Sequence, residues 1–407
     1  MEHLQSERPS VLITGASVAG PAAAYWLAEA GCQVTVLEAS AGPREGGQNI
    51  DVRGTAREVL RLMGLEDVVR SRNTGEVGTR FVDEQGGVVS EFPVGDGTGH
   101  GGPTAELEIL RGALAHVLVE ACPADVRWWF GDRISSVSQG RHGVDVELAS
   151  GTSHRFDILV IAEGVGSHTR ELVFGSEPEE RELGMYVTYG TIPRTSEDDD
   201  WWRALVAPGG RQVSLRPDDE GTMRAMLNFR VETPVLADLD MAGVRSALRE
   251  RFADVGWETS RILDGLDSAE DLYVDWLRQV VCPTWHRDRV VLLGDAGWCV
   301  TPIGGGGTSL AITGAYVLAA FLSQAGAGAH DEALSRYEEW MRPLVEKAQD
   351  LPPGTPRIAT PETRAGVQAL RWGSRIAAST VVSGLASRLT SGPEAERDLP
   401  DLVRASR

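Results

Sequence analysis

Gly15-Ala16-Ser17-Val18-Ala19-Gly20 lies between the apolar run Val11-Leu12-Ile13 and an alanine-rich stretch, Ala19 to Ala30. The order reads as strand, turn, helix. The spacing matches G-x-G-x-x-G, with Ser17 in place of the second glycine. Gly15 permits a tight turn, and Gly20 permits close packing of the helix on the strand. The helix start then offers unpaired N–H groups to a pyrophosphate. Ser17 is small enough to keep that approach close. Glu38 follows Gly20 by 18 residues, at the end of a second buried run, Val34-Thr35-Val36-Leu37. A carboxylate there suits ribose hydroxyls and disfavours a 2′-phosphate. The chemistry is dinucleotide binding. Residues 97–102, GTGHGG, match the same pattern. No strand leads directly into them, so they read as a loop.

The elements around these residues form a βαβ unit, with Gly31 placed to cap its helix. Thr55 to Met63 predicts a further helix, stopped by Gly64. Residues 77–92 alternate about Glu84-Gln85-Gly86-Gly87, as a hairpin does. Leu107 to Glu120 predicts a helix with Leu107, Leu110, Leu114 and Leu118 on one face. Four strand-like runs follow: Val126–Phe130, Ile134–Gln139, Val144–Leu148 and Phe156–Ala162. The pattern is then antiparallel over Gly184–Ile192, Arg211–Arg216 and Thr222–Val231. Two short helices come next, at about 240–254 and 259–267, then a strand at Leu272–Val281. Val290 to Leu293 is a buried strand, and a long helix runs from about 306 to 324. Pro352, Pro353 and Pro356 mark a break before the C-terminal segment. Nucleotide-binding elements thus stand at both ends, with an antiparallel block between them.

Composition narrows the chemistry. The chain has 407 residues, 42% hydrophobic and 24% charged, enough for two or three domains with a large core. Its net charge of −20 repels polyphosphate backbones, so nucleic acid is not expected as a partner. Of 39 lysine-plus-arginine residues, one, Lys347, is a lysine. Mechanisms that need a lysine therefore have one place to find it. Thr14 to Ser17 superficially resembles the short-chain dehydrogenases, but their Tyr-x-x-x-Lys pair is absent, because Pro343 stands four residues before Lys347. Cys32, Cys122, Cys282 and Cys299 form no C-x-x-C pair and have no zinc-ligand spacing, and are expected as reduced thiols. The polar N-terminus does not read as a signal peptide, and no run approaches 18 apolar residues. A cytoplasmic location is expected.

Two more motifs set the family. Ile161-Ala162-Glu163-Gly164-Val165-Gly166-Ser167-His168-Thr169-Arg170 follows a strand and resembles the D-G-x-x-S-x-x-R element of flavoprotein monooxygenases. Gly294-Asp295-Ala296-Gly297, with Pro302 and Gly304 to Gly307 after it, resembles their G-D-A…P…G-x-G element. With the first motif, these stand in the family's order and spacing. The chain resembles the class A FAD-dependent aromatic hydroxylases of the para-hydroxybenzoate hydroxylase fold over about residues 10 to 345. Gly46 to Gly54 further resembles the branch holding the tetracycline-inactivating monooxygenases.

The resemblance implies an α/β fold: a Rossmann-like FAD-binding domain interrupted by a mostly antiparallel β-sheet substrate domain, with C-terminal helices. Residues 1–75, 103–180 and 271–350 would form the FAD-binding domain. Residues 76–102 and 181–270 would form the substrate domain, and 351–407 a C-terminal helical segment. FAD would be held by Gly15, Ser17, Val18, Ala19, Gly20, Glu38, Ala39, Gln48, Arg53, Arg111, Glu163, Gly164, Gly294, Asp295, Gly305, Gly306, Gly307, Thr308 and Ser309. Arg111 matches the family's flavin-binding arginine, and Asp295 would accept from ribityl hydroxyls. The helix after Gly307 would point its positive end at the flavin's pyrimidine edge. Pro302 would help wall the site where oxygen reacts. Glu163 stands where the family usually has aspartate, in an element that also helps with the nicotinamide cofactor. Trp298 occupies a position often held by histidine, and either reshapes a flavin-side wall or only packs.

The implied reaction uses NADPH or NADH and O2 to hydroxylate a small organic substrate, aromatic or polyketide-like, through a flavin hydroperoxide. The partners would be that substrate and O2, with no membrane, in a monomer or homodimer. No general base is assignable. Asp51 and Arg53 are either near-flavin groups or a surface salt bridge. Thr222–Val231 offers one face with Arg224, Met226 and Asn228 and another with Met223, Ala225 and Leu227, and either could cover the substrate. Trp201 and Trp202 either line a pocket or pack. No room is expected for the thioredoxin-like domain of larger aromatic hydroxylases. A halogenase would need an active-site lysine and a W-x-W-x-I-P motif. Baeyer–Villiger oxidation, epoxidation, dehydrogenation and non-catalytic flavin binding stay open as alternatives.

Overall fold

The strand Ser10–Thr14 sits at the centre of a parallel sheet, flanked by Gln33–Glu38 on one side and Ile158–Ile161 on the other. The computed structural model describes residues 8–43, 47–94, 107–301, 306–325, 328–352, 354–378 and 397–405. Among these, the first sheet has six strands in the order His286–Arg287, Val290–Leu292, Ile158–Ile161, Ser10–Thr14, Gln33–Glu38 and Arg127–Phe130. All pair in parallel except the edge strand His286–Arg287. Val11 to Ile13 and Leu159 to Ile161 are fully buried, as strands covered on both faces must be.

Helix Ala19–Glu29 packs on helix Gly307–Gln324, which is buried from Ala311 to Phe321. Alanines and Gly314 let the long helix lie close to its neighbours. Trp26 fills the remaining space edge-on to Tyr316, with ring centroids 4.8 Å apart. Helices Thr55–Leu62 and His330–Gln349 flank the long helix. A three-stranded antiparallel sheet, Ile134–Gly140, Gly143–Leu148 and Ser153–Phe156, lies beside the parallel one.

The second large sheet has seven strands: Tyr273–Val281, Glu179–Pro193, Thr222–Arg230, Arg211–Pro217, Trp202–Ala207, Gly78–Val82 and Val88–Pro93. All neighbours are antiparallel except Trp202–Ala207 with Gly78–Val82. Met223, Ala225, Leu227 and Phe229 pack against helices Met241–Phe252 and Thr259–Ser268 in one apolar cluster. Met185, Val187, Tyr189 and Leu277 form a separate, smaller cluster with Met226. Strand alternation puts Met226 and Tyr189 on the face opposite those helices, because the two residues are register partners.

Three expectations changed. Glu108–Leu110 is a strand paired with Asn49–Asp51, and the helix begins only at Arg111. A helical leucine spacing cannot reveal that pairing, since Asn49–Asp51 is distant in sequence. Phe156–Ala162 divides at Asp157, whose carboxylate accepts from the Ser10 N–H at 2.8 Å. Trp202–Ala207, not anticipated as a strand, is buried between Gly78–Val82 and Arg211–Pro217.

Candidate functional site

The first turn is shaped by close backbone approach. Gly15 has φ +97°, and a Cβ on it would lie 2.3 Å from the Ala162 carbonyl oxygen. A Cβ on Gly20 would lie 1.8 Å from the Gly15 carbonyl oxygen. Neither position tolerates a side chain without moving backbone. Ser17 and Ala39 are exposed, while Val18 is buried. No side chain caps the helix that follows, so its first N–H groups are open to a ligand. Glu38 accepts from the Ala16 N–H at 2.8 Å and from the Ser40 N–H at 2.9 Å. Its carboxylate thus stands beside the turn, where the spacing placed it.

The other two motifs converge on this turn. Ala162 and the Glu163 backbone press against Gly15. A Cβ on Gly294 would lie 3.1 Å from Ala19 Cβ, so the Gly294-Asp295 turn rests on the first helix. Arg170, buried, locks the two later motifs together. It donates to the Ala296 carbonyl at 3.1 Å and pairs with Glu180 at 3.1 Å. Glu163 accepts from Ser167 Oγ at 2.7 Å, from the Thr169 N–H at 3.0 Å and from Thr169 Oγ1 at 2.5 Å. Its carboxylate therefore caps helix His168–Phe174, with Gly164 at φ +84° beside it.

Asp295 marks the depth of the site. It is solvent-exposed. Protein nevertheless surrounds it densely enough that lost hydration pushes its carboxyl up to about 6, against the lowering field of Arg111. An accessible carboxyl in such surroundings lies on the floor of a deep cleft. Asp295 Oδ1 would lie 3.7 Å from a Cβ on Gly307, at the start of helix Gly307–Gln324. Gly306 has φ +76°, and no side chain caps that helix either. Ser309 Oγ accepts from the Arg53 N–H at 3.0 Å, tying residues 51–53 to the same helix start. Asp51 and Arg53 form an ion pair at 3.0 Å, and both are partly exposed. The pair is thus a partly exposed salt bridge beside the start of that helix. The Arg111 N–H donates to the Gln48 carbonyl at 3.0 Å, and a Cβ on Gly47 would lie 3.2 Å from Arg111 Nε. Pro302 and Gly305 lie outside the described residues, and Thr308 is half-buried in the first turn of the helix.

The donor set fits FAD. Two uncapped helix starts would receive phosphate and ring edges, and Arg111 would add positive charge. Gln48 Oε1 and Thr301 Oγ1 are buried without a hydrogen-bond partner. Buried polar atoms are normally satisfied, and a bound group with hydroxyls and ring nitrogens would satisfy them. Thr301 adopts φ +69°, a conformation rare for a β-branched residue. The cavity of about 840 Å³ lined by Arg8, Tyr25, Glu29 and Arg404 lies at the other end of helix Ala19–Glu29, and contains none of the expected site residues.

A family model described as an FAD binding domain matches residues 8–351. The chain belongs to this family. It is 37% identical over 398 residues to the flavin-dependent monooxygenase eupH of Phoma sp., covering 92% of this chain and 93% of that one. It is 35% identical over 349 residues to a flavin-dependent monooxygenase of Legionella longbeachae, covering 84% and 88%. Among solved structures, tetracycline destructase Tet(55) matches with a TM-score of 0.78 at 30% identity, covering 98% of this chain and 100% of that one. Tetracycline destructase Tet(51) matches with a TM-score of 0.78 at 29% identity, covering 93% and 98%. This FAD-binding protein is therefore an oxidoreductase of the flavin-dependent monooxygenase family, with FAD as its cofactor.

Within that family architecture, Trp298 only packs. It is buried against Trp285, 4.4 Å between ring centroids, and Tyr337. Trp201 and Trp202 carry arginines on their faces, Arg80 at 4.4 Å and Arg216 at 4.3 Å. The motif spacing contains Arg170 but does not show its bridging role, and no motif points to Asp275. The Asp275 field reaches Asp295 and Tyr189, so its strand borders the cleft. No helix among the described residues is long and apolar enough to cross a membrane.

Proposed function

We propose that this chain uses NADPH or NADH and O2 to hydroxylate a small organic substrate, aromatic or polyketide-like. The observation that carries this reading is the cleft at Asp295. Three separated segments meet there, and the face of the seven-stranded sheet that turns away from its helices borders it. We assign FAD to residues 1–75, 103–180 and 271–350, and substrate to 76–102 and 181–270, with 351–407 as a C-terminal helical segment.

FAD, when bound, supplies hydride acceptance from the nicotinamide and activation of O2. The remaining work belongs to the chain. Gly15 and Gly20 admit the pyrophosphate, Glu38 and Asp295 accept hydroxyl hydrogen bonds, and Arg111 offsets negative charge. The sheet excludes water and orients the substrate. Two electrons from the nicotinamide reduce O2. One oxygen atom enters the substrate and the other leaves as water.

The test is turnover of the purified yellow holoenzyme under 18O2 with a panel of phenols and polyketides. Expected is substrate-stimulated NAD(P)H oxidation with one labelled oxygen in the product. Reductant consumption without label in any product would favour a dehydrogenase or a flavin-binding sensor. Labelled lactone or epoxide products would redirect the reading to those oxidations.

A further inference from the structure

Strand Tyr273–Val281 is an edge strand of the seven-stranded sheet, paired with Glu179–Pro193 on one side. Its other side meets the segment that carries Asp295. There the Val280 N–H donates to the Cys299 carbonyl at 3.2 Å. One side-chain amide completes this joint. Gln349, the last residue of helix His330–Gln349, donates from Nε2 to the Val280 carbonyl at 2.7 Å and to the Cys299 carbonyl at 3.2 Å. A primary amide has two N–H bonds, so each carbonyl receives one. Gln279, buried on the same strand, donates from its own Nε2 to the Gln349 carbonyl at 3.0 Å. That carbonyl is among those a helix end leaves without an intrahelical partner. Gln279 therefore holds the Gln349 backbone, and the Gln349 side chain holds sheet and segment together. Gln349 lies 69 residues from Val280 and 50 from Cys299, so the contact serves neither local turn.

The joint stands between the two halves of the cleft. On one side, the strand carries Asp275, whose field reaches Asp295. On the other, the segment Asp295–Thr301 borders the start of helix Gly307–Gln324. Asp295 Oδ1 and Val300 Cγ2 would lie 3.7 Å and 3.4 Å from a Cβ on Gly307. Arg170 anchors this segment at the Ala296 carbonyl, and Gln349 anchors it three residues later at Cys299. Thr301 follows at φ +69°, a backbone conformation that persists only where its surroundings hold it. Arg170 fixes where the segment begins. Gln349 fixes how far its end stands from the sheet.

We propose that Gln349 is a positioning residue for oxygen transfer, whose amide sets the spacing between the segment Asp295–Thr301 beside FAD and the seven-stranded sheet. This rests on the hydroxylase reading above and adds a residue to it. A displacement of about 1 Å between reacting groups costs about a hundredfold in rate. A slackened joint would therefore spare reductant oxidation and lose oxygen transfer. NAD(P)H, O2 and a proton would then give NAD(P)+ and hydrogen peroxide, in place of one oxygen atom in the product and one in water.

The experiment compares wild-type, Gln349→Met, Gln279→Met and Lys347→Gln holoenzymes. Methionine keeps the length of glutamine and removes its amide. Lys347, exposed on the same helix, is the control. The first readout is oxygenated product formed per reductant consumed, with the phenol or polyketide that wild type turns over fastest. The second is the visible circular dichroism of bound FAD without substrate, scaled to bound flavin. Both are ratios, so a smaller folded fraction alone moves neither. In Gln349→Met the product-to-reductant ratio is expected to fall about tenfold, with peroxide making up the balance, and the dichroism to change. Gln279→Met is expected to shift both in the same direction by less, and Lys347→Gln to match wild type. An unchanged ratio or unchanged dichroism in Gln349→Met, or equal shifts in Lys347→Gln, would overturn the proposal. If Gln349→Met fails to retain FAD, Gln279→Met decides by the same criteria. Changed dichroism in Gln349→Met, with no oxygen transfer by wild type to any compound tried, would leave the joint standing and sink the hydroxylase reading instead.

Discussion

The glycine turns around Asp295 and the inner face of the seven-stranded sheet border one cleft, yet they are built in different ways. The first uses backbone: bare glycines, open helix starts, and carboxylates held by N–H groups. The second uses side chains projected by strand alternation, with its arginines balanced by acids from other segments of the chain. Backbone sites tolerate little change at any one position, because an added Cβ strikes main chain. Side-chain sites tolerate change at a position while altering what they bind.

Gly20→Ala should break the first region most severely. Its Cβ meets the Gly15 carbonyl oxygen at 1.8 Å, and we expect a loss of about 3 kcal/mol and of flavin retention, read by thermal unfolding and bound-flavin absorbance. Wild-type flavin content in that variant would remove the close-approach argument. Next comes the comparison of neighbours on one strand. Leu227→Ala opens the fully buried layer under the helices and should cost about 3 kcal/mol, whereas Met226→Ala should cost under about 1 kcal/mol and alter substrate preference. Equal stability losses from denaturant melts would mean that the two faces are wrongly distinguished.

Arg170→Met separates the two motifs it bridges. Glu180 is partly exposed, so the loss is set at about 2 kcal/mol, visible as a lowered midpoint in the holoprotein. Asp295→Ala should weaken FAD by about 2 kcal/mol, near thirtyfold in Kd by equilibrium dialysis. Unchanged occupancy would contradict its role.

The smallest effect is a pH dependence in the flavin-free protein. Asp295 titrates higher folded, at about 6, than unfolded, near 3.8, so the folded form holds its proton more tightly. Its contribution is therefore most favourable below pH ~4 and is lost as pH rises through ~6. The stability difference between wild type and Asp295→Asn should follow that window, and a flat difference would place Asp295 in open solvent.

Legibility followed the same division. The glycine turn, Glu38 and the Gly294-Asp295 turn were readable because each is a local requirement of chain geometry, expressed within a few residues. Strand Glu108–Leu110 reads as helix because Leu107 and Leu110 continue the helical spacing of Leu114 and Leu118, and its partner Asn49–Asp51 lies far off in sequence. Trp298 carried two readings until Trp285 and Tyr337 were seen against it. Asp275 had no local signal at all. Its neighbours Val187 and Asn228 come from two other strands.

The sequence alone determined the cofactor class, the order of the motifs and the narrowing of lysine-dependent chemistry to one position, since a turn, a spacing and a residue count need no partner in space. The tertiary structure decided which face of Thr222–Arg230 looks into the cleft, that Arg170 joins two motifs, and that the sheet's arginines are already neutralised. Those are properties of register and pairing between distant strands, and no window of the chain contains them.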